Sequence, residues 1–167
     1  DDAGSPISGV VVSDGFTVTT TNANGYYMLK PCSDTWYIYY SIPSEYEVPI
    51  NSYGQPCFYQ RYTPGIKRYD LTRLASGPEK EFVLFCFADP QCRGTDHANR
   101  FKNECVPDVK AHSQTKTVPC YGVTLGDIVY SEGSSNSQWN MSPMRDAMAA
   151  DKIGMPVFQV MGNHDYT

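Results

Sequence analysis

The chain has 167 residues, of which 41% are hydrophobic and 19% charged, so it accommodates one or two small domains with modest cores. Acidic residues outnumber basic ones by 18 to 13, and the resulting net charge of -5 disfavours an electrostatic nucleic-acid interface. No apolar run reaches the roughly 20 residues of a membrane-spanning helix, and we expect no transmembrane segment.

The amino-acid composition of the chain changes near Gly77-Pro78. Ten of the 13 tyrosines lie in residues 1–78, whereas five of the six methionines follow. The change in composition predicts two domains, one over residues 1–78 and one over residues 79–167.

The first part alternates apolar and polar residues with the period of two that is typical of half-buried strands. The alternating inward positions are Phe16, Val18 and Thr20 in one segment, and Trp36, Ile38, Tyr40 and Ile42 in another. Turn signals such as Asp14-Gly15 and Asn24-Gly25 separate the segments. This pattern predicts a small antiparallel β-sandwich.

The second part contains three apolar runs separated by helix-permissive stretches. The runs are Phe82 to Ala88, Tyr121 to Leu125, and Pro156 to Met161. The first run lacks polar alternation, which predicts a strand covered on both faces with Cys86 buried inside it. The order β-α-β-α-β predicts a parallel sheet with right-handed crossovers.

Sequence signals also place the two helical stretches. Residues 95–115 have an amphipathic spacing that Pro107 must kink or restart. Ser142 before Pro143 predicts the start of the second helix, and Gly154 predicts its end. Met144 and Met148 then share one helix face.

Each predicted parallel strand ends in a polar cluster. The clusters are Ala88-Asp89-Pro90-Gln91, Gly126-Asp127 and Gly162-Asn163-His164-Asp165. Because such strands end at one edge of the sheet, we expect the clusters to converge there. Two carboxylates about 4 Å apart repel by roughly 4 kcal/mol at an effective dielectric of about 20, so a divalent cation is the expected counter-charge.

These clusters resemble the motifs of the calcineurin-like metallophosphoesterases. Asp89-Pro90-Gln91 is similar to the DxH motif, Gly126-Asp127 matches in order and spacing, and Gly162-Asn163-His164-Asp165 is a full GNHD match. The resemblance extends over residues 80–167, the N-terminal part of that family's catalytic domain. Residues 1–78 resemble the carboxypeptidase-regulatory-like β-sandwich that precedes it in some bacterial members.

The resemblance implies hydrolysis of phosphate esters with two divalent metal ions, drawn from Mn, Mg, Fe or Zn. Its implied metal ligands are Asp89, Gln91, Asp127 and Asn163. Its implied catalytic residues are His164, which approaches the phosphate or leaving group, and Asp165, which supports it. Resemblance to bacterial surface members also implies an exported protein, periplasmic or on the cell surface.

Two motifs depart from the family pattern. Gln91 stands where the family usually has histidine, which favours harder ions such as Mn²⁺ or Mg²⁺ over zinc. After Gly126-Asp127 the chain continues as Ile128-Val129-Tyr130-Ser131-Glu132, so the sequence assigns no partner to His164.

The later histidine-containing segments of the family have no counterpart here. We therefore expect an incomplete domain with little activity alone, whose unpaired sheet edges favour self-association. The competing hypothesis is a noncatalytic surface binding or adhesion protein with a degenerate phosphoesterase scaffold. The six cysteines indicate no zinc motif, although Cys32 and Cys57 could pair in an exported protein.

Overall fold

The computed structural model describes residues 1–130 and 137–165, with the side chains of 137–140 left out. The chain divides into two compact units, Asp1–Pro49 with Cys57–Lys80, and Ile50–Pro56 with Glu81–Thr167. The sequence prediction placed the short segment Ile50–Pro56 in the first domain. In the structure this segment belongs to the second unit, where the Gly54 carbonyl accepts a hydrogen bond from the Ala150 N–H at 2.9 Å.

The first unit contains an antiparallel sheet of four strands in the order β2-β1-β3-β4. The strands are β1 (Val11–Ser13), β2 (Val18–Thr20), β3 (Tyr37–Tyr40) and β4 (Tyr59–Arg61). The predicted antiparallel pairing is confirmed. The described residues of this unit form one sheet, however, rather than the two sheets of a sandwich.

The core of the first unit lies against one face of this sheet. Ile38 and Tyr40 are both 3% exposed, as their alternation in β3 predicts. Phe16 and Val18 were predicted to face inward but are 62% and 69% exposed. Phe16 lies in the turn before β2, and Val18 begins β2, an edge strand with one neighbouring strand. Trp36 is exposed as well. The buried apolar cluster consists of Val10, Val12, Ile38, Tyr40, Tyr46 and Leu71.

The second unit contains a parallel sheet of three strands in the order β5-β6-β7. The strands are β5 (Val83–Phe87), β6 (Cys120–Thr124) and β7 (Val157–Phe158). The helical segments between β5 and β6 are α1 (Thr95–Arg100), a π-helical turn (Phe101–Cys105) and α2 (Val106–Ser113). Those between β6 and β7 are α3 (Ser137–Ala147) and α4 (Ala150–Ile153). The predicted β-α-β-α-β order is confirmed.

The two proline signals in the helices have different outcomes. Pro107 lies in the first turn of α2, directly after the π-helical turn and Val106, which confirms the prediction that it starts a second helical element. A proline lacks the N–H donor, and the wider turn accommodates that loss. Ser142 is wrong as a helix start, because α3 already includes Ser137 and encloses Pro143. Gly154 ends a helix as predicted, with φ of 87°, but that helix is the separate short α4, because α3 already ends at Ala147.

The helices cover one face of the parallel sheet. Phe85 and Phe87 lie on that face and pack against helical residues, but Leu84 is 49% exposed and Cys86 is exposed. The prediction that β5 is covered on both faces, with a buried Cys86, is therefore wrong. The physical reason is that β5 is an edge strand with helices on one side only.

The core beneath those helices is rich in aliphatic and methionine side chains. Met144 and Met148 are both fully buried, which confirms that they share a face. The other buried members of the cluster are Cys92, Ala98, Val106, Ile128, Val129, Ala147, Ile153, Met155 and Val157. None of the described helices is both long enough and apolar enough to span a bilayer.

Candidate functional site

Asp127 connects the ends of the three parallel strands. It follows β6, the central strand. Its backbone carbonyl accepts a hydrogen bond from the Gln91 N–H at 2.9 Å. Its carboxylate oxygen Oδ1 accepts one from the backbone N–H of His164, also at 2.9 Å. The predicted convergence of the strand ends is thus present in the backbone at these three positions.

The segments after β5 and β6 continue side by side beyond the strands. The Cys92 N–H donates to the Ile128 carbonyl at 3.1 Å, and the Tyr130 N–H donates to the Cys92 carbonyl at 3.0 Å. Cys92 is 2% exposed, and burial raises the pKa of its thiol. Ile128 and Val129 are fully buried. This backbone pairing fixes the positions of Gln91 and Asp127, which directly precede Cys92 and Ile128 in the sequence.

Three predicted metal ligands adopt left-handed backbone conformations. The φ angles are 51° at Asp89, 43° at Gln91 and 48° at Asp127, and no other described non-glycine residue has a positive φ. This conformation costs an L-residue about 1–2 kcal/mol, although aspartate tolerates it comparatively well. Such backbone strain clusters at functional sites, where the surrounding structure holds it in place.

Two glycines allow the loops after β6 and β7 to touch. Gly126 has φ of +89°, and a Cβ there would lie 3.0 Å from the Cα of Gly162. A Cβ on Gly162 would overlap the backbone nitrogen and the carboxylate oxygen of Asp127. The GD and GNHD motifs therefore require glycine for a steric reason that is visible in this chain.

Asp165 fixes the same junction through its side chain. It is 7% exposed, and its Oδ1 accepts a hydrogen bond from the Val129 N–H at 2.9 Å. Its Oδ2 accepts one from the Gly162 N–H at 2.8 Å. Both carboxylate oxygens are thus bound to backbone amides, an arrangement that favours a positioning role. The catalytic role assigned from the sequence stays a prediction.

The imidazole of His164 stacks on the ring of Tyr130. The ring centroids are 4.6 Å apart and the planes differ by 25°. The guanidinium carbon of Arg93 lies 4.0 Å from the centroid of the same tyrosine ring. Sequence reasoning assigned neither residue to the site. The available signal was position, because Arg93 and Tyr130 each follow a polar cluster within three residues. Ser131 and Glu132 lie outside the described residues.

Asp89 and Asn163 lie at the same sheet edge with exposed side chains. Neither side chain has a hydrogen bond to another described residue. Residues 1–130 and 137–165 contain no group of three His, Cys, Asp or Glu side chains that could hold a metal ion. The predicted donor set has two such residues, Asp89 and Asp127, and amide oxygens from Gln91 and Asn163. Its metal-binding role stays a prediction.

Comparison with known proteins gives one family match. Residues 1–75 match the family described as the N terminal of calcineurin-like phosphoesterase. Neither the search of curated proteins nor that of solved structures gave a significant match. The matched residues comprise most of the first unit and the segment Ile50–Pro56 of the second. The polar residues that follow β5, β6 and β7, here named the strand-end cluster, lie outside the matched range. The first part of the chain is thus similar to the N-terminal domain of calcineurin-like phosphoesterases, a family of hydrolases that generally use divalent metals.

Proposed function

We propose that this chain is part of a metal-dependent phosphoesterase that hydrolyses phosphate esters. The main observation behind the proposal is the junction at Asp127. Its backbone carbonyl binds the N–H of Gln91, and its carboxylate binds the N–H of His164. The family match of residues 1–75 supports the same assignment from a separate part of the chain.

The donor atoms fit hard divalent cations. Asp89 and Asp127 supply carboxylate oxygens, and Gln91 and Asn163 supply amide oxygens, which are ligands that Mg²⁺ and Mn²⁺ prefer. When bound, two such cations polarise the phosphoryl oxygens and lower the pKa of a coordinated water. The left-handed backbone at Asp89, Gln91 and Asp127 supports a site formed before binding.

The remaining residues position the reacting groups. The backbone N–H of His164 is bound to Asp127 and its imidazole is stacked on Tyr130, so the ring has a fixed position from which to assist the leaving group. Asp165 binds the backbone of both loops and maintains the distance between Asp127 and the histidine. These roles require a rigid junction, which the glycine contacts supply.

Metal binding tests this proposal directly. Calorimetric titration with Mn²⁺ should show binding to the wild-type chain, and Asp127→Asn should weaken it at least about tenfold because one charge is lost. Asp108→Asn, which changes an exposed carboxylate on α2, is the matched control and should leave affinity unchanged. Hydrolysis of an aryl phosphate is measured alongside and should be slow in the wild type and absent in Asp127→Asn. Equal Mn²⁺ affinity in wild type and Asp127→Asn would contradict the proposal.

A noncatalytic binding protein is the second candidate. The observation in its favour is that the described residues contain no His, Cys, Asp or Glu cluster for a metal. Under this alternative, neither Mn²⁺ nor Mg²⁺ binds to the chain, and no aryl phosphate is hydrolysed with either ion.

A further inference from the structure

Arg93 and Tyr130 lie next to each other because their backbones are paired. Cys92 and Val129 form a parallel bridge, and the residues that follow them in each segment are Arg93 and Tyr130. The Arg93 N–H also donates to the Nδ1 of His97 at 3.4 Å. The contact between the guanidinium and the tyrosine ring therefore arises from fixed backbone positions.

Tyr130 contacts two chemically different groups through one ring. The Arg93 guanidinium carbon lies 4.0 Å from its centroid, and the His164 imidazole is stacked on it at 4.6 Å. His164 is also bound through its backbone to Asp127. The arginine is in this way tied to the predicted catalytic histidine and to the predicted central metal ligand.

Within residues 1–130 and 137–165, the side-chain N–H donors of Arg93 are not engaged by a hydrogen bond or an ion pair. A guanidinium carries five N–H donors in its plane, and an aromatic ring engages its face rather than these donors. Among the described residues, four ion pairs are present and none includes Arg93. Its side chain is exposed. A positive charge whose donors have no acceptor among the described residues therefore lies two positions after Gln91, on the segment that carries the first polar cluster.

The negative charge of the strand-end cluster indicates a role for Arg93 in binding an anion. Asp89 and Asp127 are both acidic and would repel an approaching anion. Arg93 offsets that repulsion on one side and can bind two phosphate oxygens with its forked donors. A monoester has three unesterified oxygens, so one remains for a metal after two bind the arginine. A diester has two, for which arginine and metal would compete.

We propose that Arg93 is the phosphate-binding residue of this site, that Tyr130 positions both Arg93 and His164, and that the substrates are phosphate monoesters. The inference rests on the proposed phosphoesterase function and adds the substrate class. Tyr130 acts as a positioning residue, because it contacts the arginine and the histidine rather than the ester.

Binding of inorganic phosphate in the presence of Mg²⁺ tests the arginine. Titration calorimetry should show at least tenfold weaker binding in Arg93→Ala and a smaller loss in Arg93→Lys, which keeps the charge without the fork. Arg100→Ala removes an exposed arginine from α1 and is the matched control, with unchanged affinity expected. Phenyl phosphate should bind more tightly than diphenyl phosphate to the wild type, and Arg93→Ala should remove that preference.

A spectroscopic measurement tests Tyr130. In the wild type, the ring should shift the imidazole proton resonances of His164, an effect kept in Tyr130→Phe and lost in Tyr130→Leu. Phosphate affinity should follow the same order. Thermal unfolding of each variant identifies any loss of fold. Because Tyr130→Phe retains the aromatic ring, comparing it with Tyr130→Leu isolates the contribution of the ring.

The outcomes separate this inference from the proposed function. Phosphate affinity equal in wild type and Arg93→Ala, with Mn²⁺ binding intact, overturns the phosphate site and leaves the phosphoesterase proposal standing. Absent Mn²⁺ binding, with phosphate binding still dependent on Arg93, overturns the proposed function and supports the anion site. A preference for the diester would overturn the assigned substrate class.

Discussion

The carboxylate of Asp127 accepts a hydrogen bond from the backbone N–H of His164 at 2.9 Å, across a sequence separation of 37 residues. This bond joins the end of the central strand to the loop after β7. The same loop approaches so closely that a Cβ on Gly162 would lie 2.8 Å from the carboxyl carbon of Asp127. The predicted metal ligand and the predicted catalytic histidine are therefore held in one tight junction.

Gly162→Ala should disrupt this junction. The added methyl group overlaps atoms of Asp127, including its backbone nitrogen, so the two loops must separate. We expect a destabilisation of about 1–3 kcal/mol or more in denaturant unfolding, with loss of Mn²⁺ binding. Gly94→Ala is the control, because a Cβ there meets nothing within 4 Å and its φ of 173° suits any residue. An equal effect of the two variants would contradict the steric argument.

Asp165→Ala should destabilise the second unit by about 2–4 kcal/mol. The variant leaves the N–H groups of Val129 and Gly162 without their acceptors, and buried hydrogen bonds to a charged group contribute about 1.5–3 kcal/mol each. Asp165→Asn keeps one oxygen acceptor and should lose less. Denaturant unfolding monitored in the second unit measures both variants. A purely chemical role for Asp165 predicts instead wild-type stability with reduced hydrolysis.

Asp14 makes the stability of the first unit depend on pH. The carboxylate is 3% exposed, and its Oδ1 accepts hydrogen bonds from the backbone of Thr17 at 2.6 Å and Phe16 at 3.0 Å. The bond from Thr17 is the main cause that lowers the pKa of Asp14 from its ordinary value, while desolvation opposes it. A lowered folded-state pKa stabilises the native state above the unfolded pKa of about 3.9, and this contribution is lost as pH falls through the folded value.

Asp14→Asn should remove this pH dependence. At pH 7 we expect a loss of about 1–2 kcal/mol, because the charged acceptor of the turn becomes neutral. The difference from wild type should shrink as the pH falls from about 5 to about 2. Urea unfolding of both proteins at several pH values provides the measurement. A constant difference across that range would show that Asp14 contributes through shape alone.

Met148→Ala should destabilise the core of the second unit by about 2–5 kcal/mol. The side chain is fully buried among the helices, so truncation removes apolar burial and leaves a cavity. Met161→Ala is the control in the same unit. Met161 is 58% exposed, and its truncation should change stability by less than about 0.5 kcal/mol. Similar losses in the two variants would place Met148 outside the core.

The predicted elements were most accurate where the signal is local. Apolar runs between turn residues predicted β5, β6 and β7, and the polar residues that follow them predicted the strand-end cluster. Burial was less accurate, since Cys86 is exposed although its run is continuously apolar. Whether a strand is covered on one face or two depends on helices that are distant in sequence, and no local pattern contains that information.

The amino-acid sequence by itself determined the order of strands and helices, the position of the polar clusters and the glycines that allow close approach. These follow from hydrophobic periodicity and backbone conformational preferences, which act over a few residues. Only the tertiary structure placed Tyr130 against His164 and Arg93, and bound both Asp165 oxygens to backbone amides. Such contacts depend on the pairing of segments far apart in the chain, and folding alone brings them within bonding distance.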